Sequence, residues 1–175
     1  LMPRIAFFFF LILHESFGHP QVQGFFDRLE SVFAQAYNSE GFIVRNLEPP
    51  SDDRAAPRFY DKEKHDAAPA TLSLWKDLES VCAFAYRGLH GEALKIRNEW
   101  FVKPEWPTYV AWWVEDDHIP TREEAGRKLE HLHDNGSSPA AFNFKQPFDA
   151  TGNPVTLNKE ILNSRISAND SESKA

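Results

Sequence analysis

A single cysteine, Cys82, in a chain of 175 residues excludes an internal disulfide framework and any zinc site built on cysteine ligands. Cys82 falls within an apolar helical run, so it reads as a buried small hydrophobe, and a reducing, cytoplasmic setting is expected. Positive charge is also scarce. With 19 basic against 26 acidic residues and a net charge of −7, and with no Lys/Arg cluster, the chain lacks the basic surface a general nucleic-acid binder needs. No apolar run approaches the about 20 residues that span a bilayer, so no membrane span is expected. The run after Arg4 (Ile-Ala-Phe-Phe-Phe-Phe-Leu-Ile-Leu) resembles a signal-peptide core, but His14-Glu15-Ser16-Phe17 follows it in place of a small-residue cleavage site. It reads better as a buried central strand.

Several chemical signatures are missing too. There is no P-loop, Rossmann glycine pattern, G-x-S-x-G elbow or Cys/His pair, which argues against phosphate and acyl-enzyme chemistry. None of the seven histidines is spaced i, i+4 from another. His131 and His133, two apart, point in different directions on a helix, so local spacing builds no zinc or iron site.

Aromatic side chains, in contrast, are plentiful. Fifteen Phe and five Trp within 42% hydrophobic content suit a core or a pocket built from large flat groups. All the tryptophans fall between Trp75 and Val114. The length suits one domain, expected over residues 1–148, with a polar, disordered tail over 149–175.

The pattern along the chain alternates strands and helices. After the first strand, Pro20 opens a helix whose apolar residues (Val22, Phe25, Phe26, Leu29, Val32, Phe33, Ala36) form one broad stripe, and Asn38 to Gly41 stops it. Phe42–Leu47 and Ala70–Trp75 read as strands, with Arg58-Phe59-Tyr60 a candidate return to the sheet. A helix from Asp77 carries Leu78, Val81, Cys82 and Ala85 on one face; Gly88 and Gly91 break it around His90, and it resumes through Phe101. Thr108–Val114 is β-rich, and Thr121-Arg122-Glu123-Glu124 is a capping box for a further helix ended by Asn135-Gly136. Phe142–Phe148 reads as an extended segment that packs. Two βαβ halves of this size predict an α+β fold: a ferredoxin-like βαββαβ sheet with an extra C-terminal helix. A second apolar sheet face would need cover, which a face-to-face homodimer could supply.

The chain resembles an uncharacterised, mostly bacterial domain-of-unknown-function family within the dimeric α/β-barrel superfamily. The resemblance covers residues 4–148. It is carried by Ile12-Leu13-His14-Glu15, Gly18-His19-Pro20, Leu74-Trp75, Phe84-Ala85-Tyr86-Arg87, His90, Trp100-Phe101, Trp112-Trp113 and Pro120-Thr121. The Phe7–Phe10 run is bulkier than that family's pattern. Wider relatives include antibiotic-biosynthesis-type monooxygenases, which can act without a metal or prosthetic group. Haem proteins such as chlorite dismutases and dye-decolourising peroxidases belong there as well. Residues 84–93, with Arg97 and Trp100-Phe101, are also similar to a stretch of the spheroidene monooxygenases, which use haem.

The resemblance therefore implies a homodimeric, monooxygenase-like oxidoreductase acting on a hydrophobic small molecule. Haem is the candidate cofactor. His90 would be the axial ligand or an acid/base, with Arg97 and Phe101 on the same helical face to meet the cofactor. The other reading of His90 is a helix-break histidine bonded to a backbone carbonyl. His14 is a candidate general base at the first strand's end, or a turn residue there. Trp75, Tyr86, Tyr109, Trp112 and Trp113 either line a substrate pocket or fill the core and an interface. A non-catalytic ligand-binding or dimerisation module of the same fold is the alternative function.

Overall fold

The computed structural model describes residues 2–45, 56–65, 68–90 and 94–173, with side chains throughout except at 86–90, 94–96 and 169–173. Its elements are β1 (Arg4–Phe10), α1 (Pro20–Asn38), β2 (Phe42–Arg45), β3 (Ala70–Trp75), α2 (Leu78–His90), α3 (Leu94–Trp100), β4 (Tyr109–Val114), α4 (Arg122–Asn135) and α5 (Lys159–Ser173). The four strands form one antiparallel sheet in the order β2-β3-β1-β4, a mixed α+β architecture. Among the described residues no helix is long and apolar enough to cross a membrane.

The unbroken Phe7–Phe10 run is explained by β1's place at the centre of this sheet. Alternate residues point to opposite faces, and both faces are covered. Ala6, Phe8 and Phe10 share one face with Leu72, Leu74, Val110 and Trp112, and α4 lays Ala125, Leu129 and Leu132 across them. Each fully buried leucine there contributes roughly 1.5–3 kcal/mol. Ile5 and Phe7 share the other face with Trp75 and Ala111, under Leu78, Val81 and Ala85 of α2.

The cover expected from a second copy is thus supplied on the Phe8 face by the chain itself. Arg58-Phe59-Tyr60 does not join the sheet; it forms a turn, and Phe59 and Tyr60 meet Phe10 edge-on at ring distances of 5.8 and 5.7 Å. The predicted cap of α4 is present, with the Glu124 N–H donating to Thr121 Oγ1 at 3.1 Å. The Glu124 carboxylate, instead of returning to the cap as in a full capping box, lies 3.0 Å from His118 Nε2.

Phe142 exchanges two backbone hydrogen bonds of 2.9 Å with Ala111, so the extended segment docks on β4. Where a polar tail was expected from residue 149, the chain continues to pack. Asp149 accepts from the backbone N–H groups of Thr151 and Asn153, turning the chain so that Val155 and Leu157 reach the Phe7 face. α5 then lies along α2, where Arg165 donates to Asp77 at 2.9 Å and to Ser80. Composition alone reads α5 as polar because the helix lacks a continuous apolar stripe; Leu162, Arg165 and Ile166 are its half-buried apolar and basic residues.

Cys82 is 7% exposed, and burial, reinforced by the Glu79 carboxylate, pushes its thiol up to about 11. Native protein at about pH 8 is therefore expected to resist a thiol-exchange reagent and to release one equivalent only in denaturant. Rapid stoichiometric labelling of the native state would contradict that placement.

Candidate functional site

A cavity of about 660 Å³ lies between α1 and the Phe7 face of the sheet, bounded at its sides by α2 and α3. Its existence explains an oddity of α1. The periodicity predicts a stripe packed into the core, yet only Val22 and Ala36 of this helix are buried. Leu29, Val32 and Phe33 face the cavity instead, and Phe25 borders it while packing edge-on against Phe101 at 5.0 Å. The sheet contributes Phe7 and Phe9 from β1, Phe42 from β2, and Thr71, Ser73 and Trp75 from β3. Phe84 closes one side, and Trp100 with Phe101 the other.

Local chemistry positions these walls. α1 begins at Pro20, where His19 Nδ1 accepts the Gln21 N–H at 3.0 Å, and Gln21 Nε2 reaches the Glu99 carbonyl at 2.8 Å, tying the helix to α3. Gly24 lets the two helices approach closely, since a Cβ there would meet the Trp100 indole at 3.1 Å. The Arg28 guanidinium lies over that indole, 5.0 Å from its centre. Trp75 is fully buried, with its Nε1–H donating to Ser73 Oγ at 2.9 Å; its ring stacks on Phe84 at 5.0 Å and meets Phe42 edge-on at 5.3 Å. Satisfying the indole N–H inside the sheet leaves this wall of the cavity apolar and rigid.

Of the residues predicted for the site, Trp75, Arg97 and Phe101 are brought together around the cavity. Tyr109, Trp112 and Trp113 do not line it. Trp112 points to the opposite face, beneath α4. Trp113 donates its indole N–H to the Phe148 carbonyl at 2.8 Å. Tyr109 stacks on Phe144 at 5.1 Å and accepts the Phe144 N–H, and burial pushes its hydroxyl up. The reason is geometric: neighbours in a strand face opposite ways, and β4's Phe7-face residues are claimed by the docked 142–148 segment.

His14 lies at the surface outside the cavity, with Nε2 2.9 Å from the Asn98 carbonyl. A carbonyl only accepts, so Nε2 carries the proton, and the ring ties the end of the first strand to α3. His90 is the last residue of α2. Its side chain and that of Tyr86 lie outside the described residues.

The sequence did not single out Arg28, Arg45 or the phenylalanines other than Phe101 as site residues. Arg28 stands three residues after Phe25, so helical periodicity could have placed it at the margin of the stripe. Arg45, at the end of a four-residue strand, carries no comparable signal.

The lining contains no His, Cys, Tyr, Asp or Glu among the described residues. Nor do the described residues contain a group of three or more such side chains able to hold a metal ion. What the arrangement can do is enclose an apolar molecule; its volume is within the range of small-molecule pockets.

A family model described as a domain of unknown function (DUF3291) matches residues 4–158 of the chain. No curated protein and no solved structure matches it.

Proposed function

Because the chain belongs to the DUF3291 family, whose description names no activity, we propose from the site itself that the domain binds a hydrophobic small molecule in the cavity beneath α1. The observation that carries this reading is the half-buried stripe of α1. Three large apolar side chains of one helix, Leu29, Val32 and Phe33, face a cavity of about 660 Å³ instead of a packed core. The apolar surface left facing this space is partly wet, so an apolar occupant that removes it from water is favoured. Strand order and chain order together support a ferredoxin-like βαββαβ reading of the fold. Where dimeric barrels meet a partner on the open sheet face, α4 covers that face here, so the ligand-binding reading requires no second copy. The single buried thiol is in keeping with a cytoplasmic setting.

The test is binding of a neutral apolar probe, naphthalenemethanol. At a hundred times its Kd the probe should stabilise the protein by about 2.7 kcal/mol, or roughly 5–10 °C in Tm for a chain of this size. Thr71→Phe, which projects a ring from β3 into the cavity, should abolish this stabilisation while leaving the fold intact. Absence of saturable binding to folded protein would overturn the reading.

Monooxygenase-like oxidoreductase chemistry is the second reading. It is favoured by Arg97 and Phe101, which belong to the segment similar to the haem-using enzymes and also line the cavity. The described lining offers haem iron no axial ligand, so no catalytic step is assigned to it. Absorption spectra of protein produced with ample haem decide this point. A Soret band lost in His90→Ala would favour the haem reading, whereas no band in folded protein would leave binding alone.

A further inference from the structure

The charged side chains in the described lining of the cavity are Arg28, Arg45 and Arg97, with no carboxylate among them. In a chain with 26 acidic and 19 basic residues, the described charged lining is thus entirely basic. Two of these cations are held by ring faces. Arg28 lies over Trp100, and its Nη1 donates to the Gly24 carbonyl at 3.0 Å. The Arg45 guanidinium lies 3.6 Å from the centre of Phe33 and 5.3 Å from that of Tyr37.

For Arg45, ring faces orient the guanidinium without neutralising it. Among the described residues Arg45 forms no ion pair, and its Nε is buried without a hydrogen-bond partner. A buried donor in that state is costly, and a planar fork of N–H groups matches a carboxylate in shape and charge.

We propose that the ligand of this cavity is an amphipathic carboxylate, its apolar body among the aromatic walls and its carboxylate on Arg45. This deepens the ligand-binding reading above and rests on it. The neutral part of the lining (Thr71, Ser73, Ser31 and Gln35) can hydrogen-bond a head group, but only the arginines distinguish an acid from its alcohol.

Matched pairs of probes test the inference: dodecanoic acid against dodecanol, and naphthoic acid against naphthalenemethanol, titrated by tryptophan fluorescence. In the unaltered protein each acid should bind roughly 10–100-fold more tightly than its alcohol, the range expected of a charge-assisted hydrogen bond. Arg45→Met keeps the side chain's length without its charge, and it should remove most of that gap by weakening the acid far more than the alcohol. Arg45→Lys should retain part of it. Should Arg45→Met not fold, the acid–alcohol comparison in unaltered protein and Arg45→Lys still decides the matter. Equal affinity for acid and alcohol, or a gap untouched at Arg45, would overturn the carboxylate assignment. Failure of all four probes to bind would instead refute the apolar-cavity reading beneath it.

Discussion

Replacing Gly41 with alanine is expected to destabilise the protein by roughly 2–5 kcal/mol, a large share of the 5–15 kcal/mol that holds a typical domain together. Two separate costs combine at this position. Gly41 has φ +82°, a left-handed conformation that costs an L-residue about 1–2 kcal/mol. A Cβ there would also lie 2.5 Å from Ser80 Cβ and closer still to its Oγ. Overpacking of that kind typically costs about 1–3 kcal/mol.

Relief by movement is blocked on several sides. Ser80 is 1% exposed, its hydroxyl accepts from Arg165, and the Gly41 carbonyl accepts the Lys76 N–H at 2.7 Å. Urea denaturation measures the loss. Gly18→Ala is the control, since Gly18 has φ +92° but nothing within 4 Å of a new Cβ, and it should show only the conformational cost. Ser80→Gly in the Gly41→Ala background should recover the packing cost alone. Equal losses for Gly41→Ala and Gly18→Ala would refute the close approach of the β2 turn to α2.

The second large effect is expected at Trp112. It is 1% exposed on the Phe8 face beneath α4, and truncation to alanine should cost about 3–5 kcal/mol. Its indole N–H is buried without a hydrogen-bond partner among the described residues. Trp112→Phe therefore loses volume but also removes an unpaired donor whose burial costs about 1–3 kcal/mol, and its net effect should be within about 1.5 kcal/mol. Chemical denaturation of both variants gives the comparison. Because Trp112 faces away from the cavity, Trp112→Phe should bind naphthalenemethanol with unchanged affinity. A phenylalanine variant as unstable as the alanine one would mean that the indole N–H has a partner after all.

These two residues also mark how far the sequence could be read. The stop at Gly41 was legible because a glycine after a long amphipathic run signals a left-handed turn. That its missing Cβ makes room for Ser80, 39 positions along the chain, was not, because the contact is made only when α2 folds back on the sheet. Trp112 and Trp113 looked equivalent in sequence, yet one lies under α4 and the other beside Phe148. Period two guarantees opposite faces without saying what covers each.

The same distinction holds for the candidate site. Trp75, Arg97 and Phe101 could be picked out from composition, helical spacing and resemblance. Arg28 and Arg45 came to border the cavity only because β2 and α1 converge on one space. α5 eluded the sequence for a related reason: it is anchored by Arg165 on Asp77, an ion pair across 88 positions, while its own pattern is polar.

By itself, then, the sequence determined where the four strands and the principal helices lie, the starts of α1 and α4, the lack of cysteines for a cysteine-based site, and a surplus of aromatic side chains. Local sterics, hydrogen-bonding capacity and hydrophobic period act over a few residues and are written in the chain. Which apolar stripe packs and which borders a cavity depends on the volume left between elements distant in sequence. Only the tertiary structure decided that α4 would close one sheet face, and that α1 would stand off the other, leaving a space that Arg45 of β2 also borders.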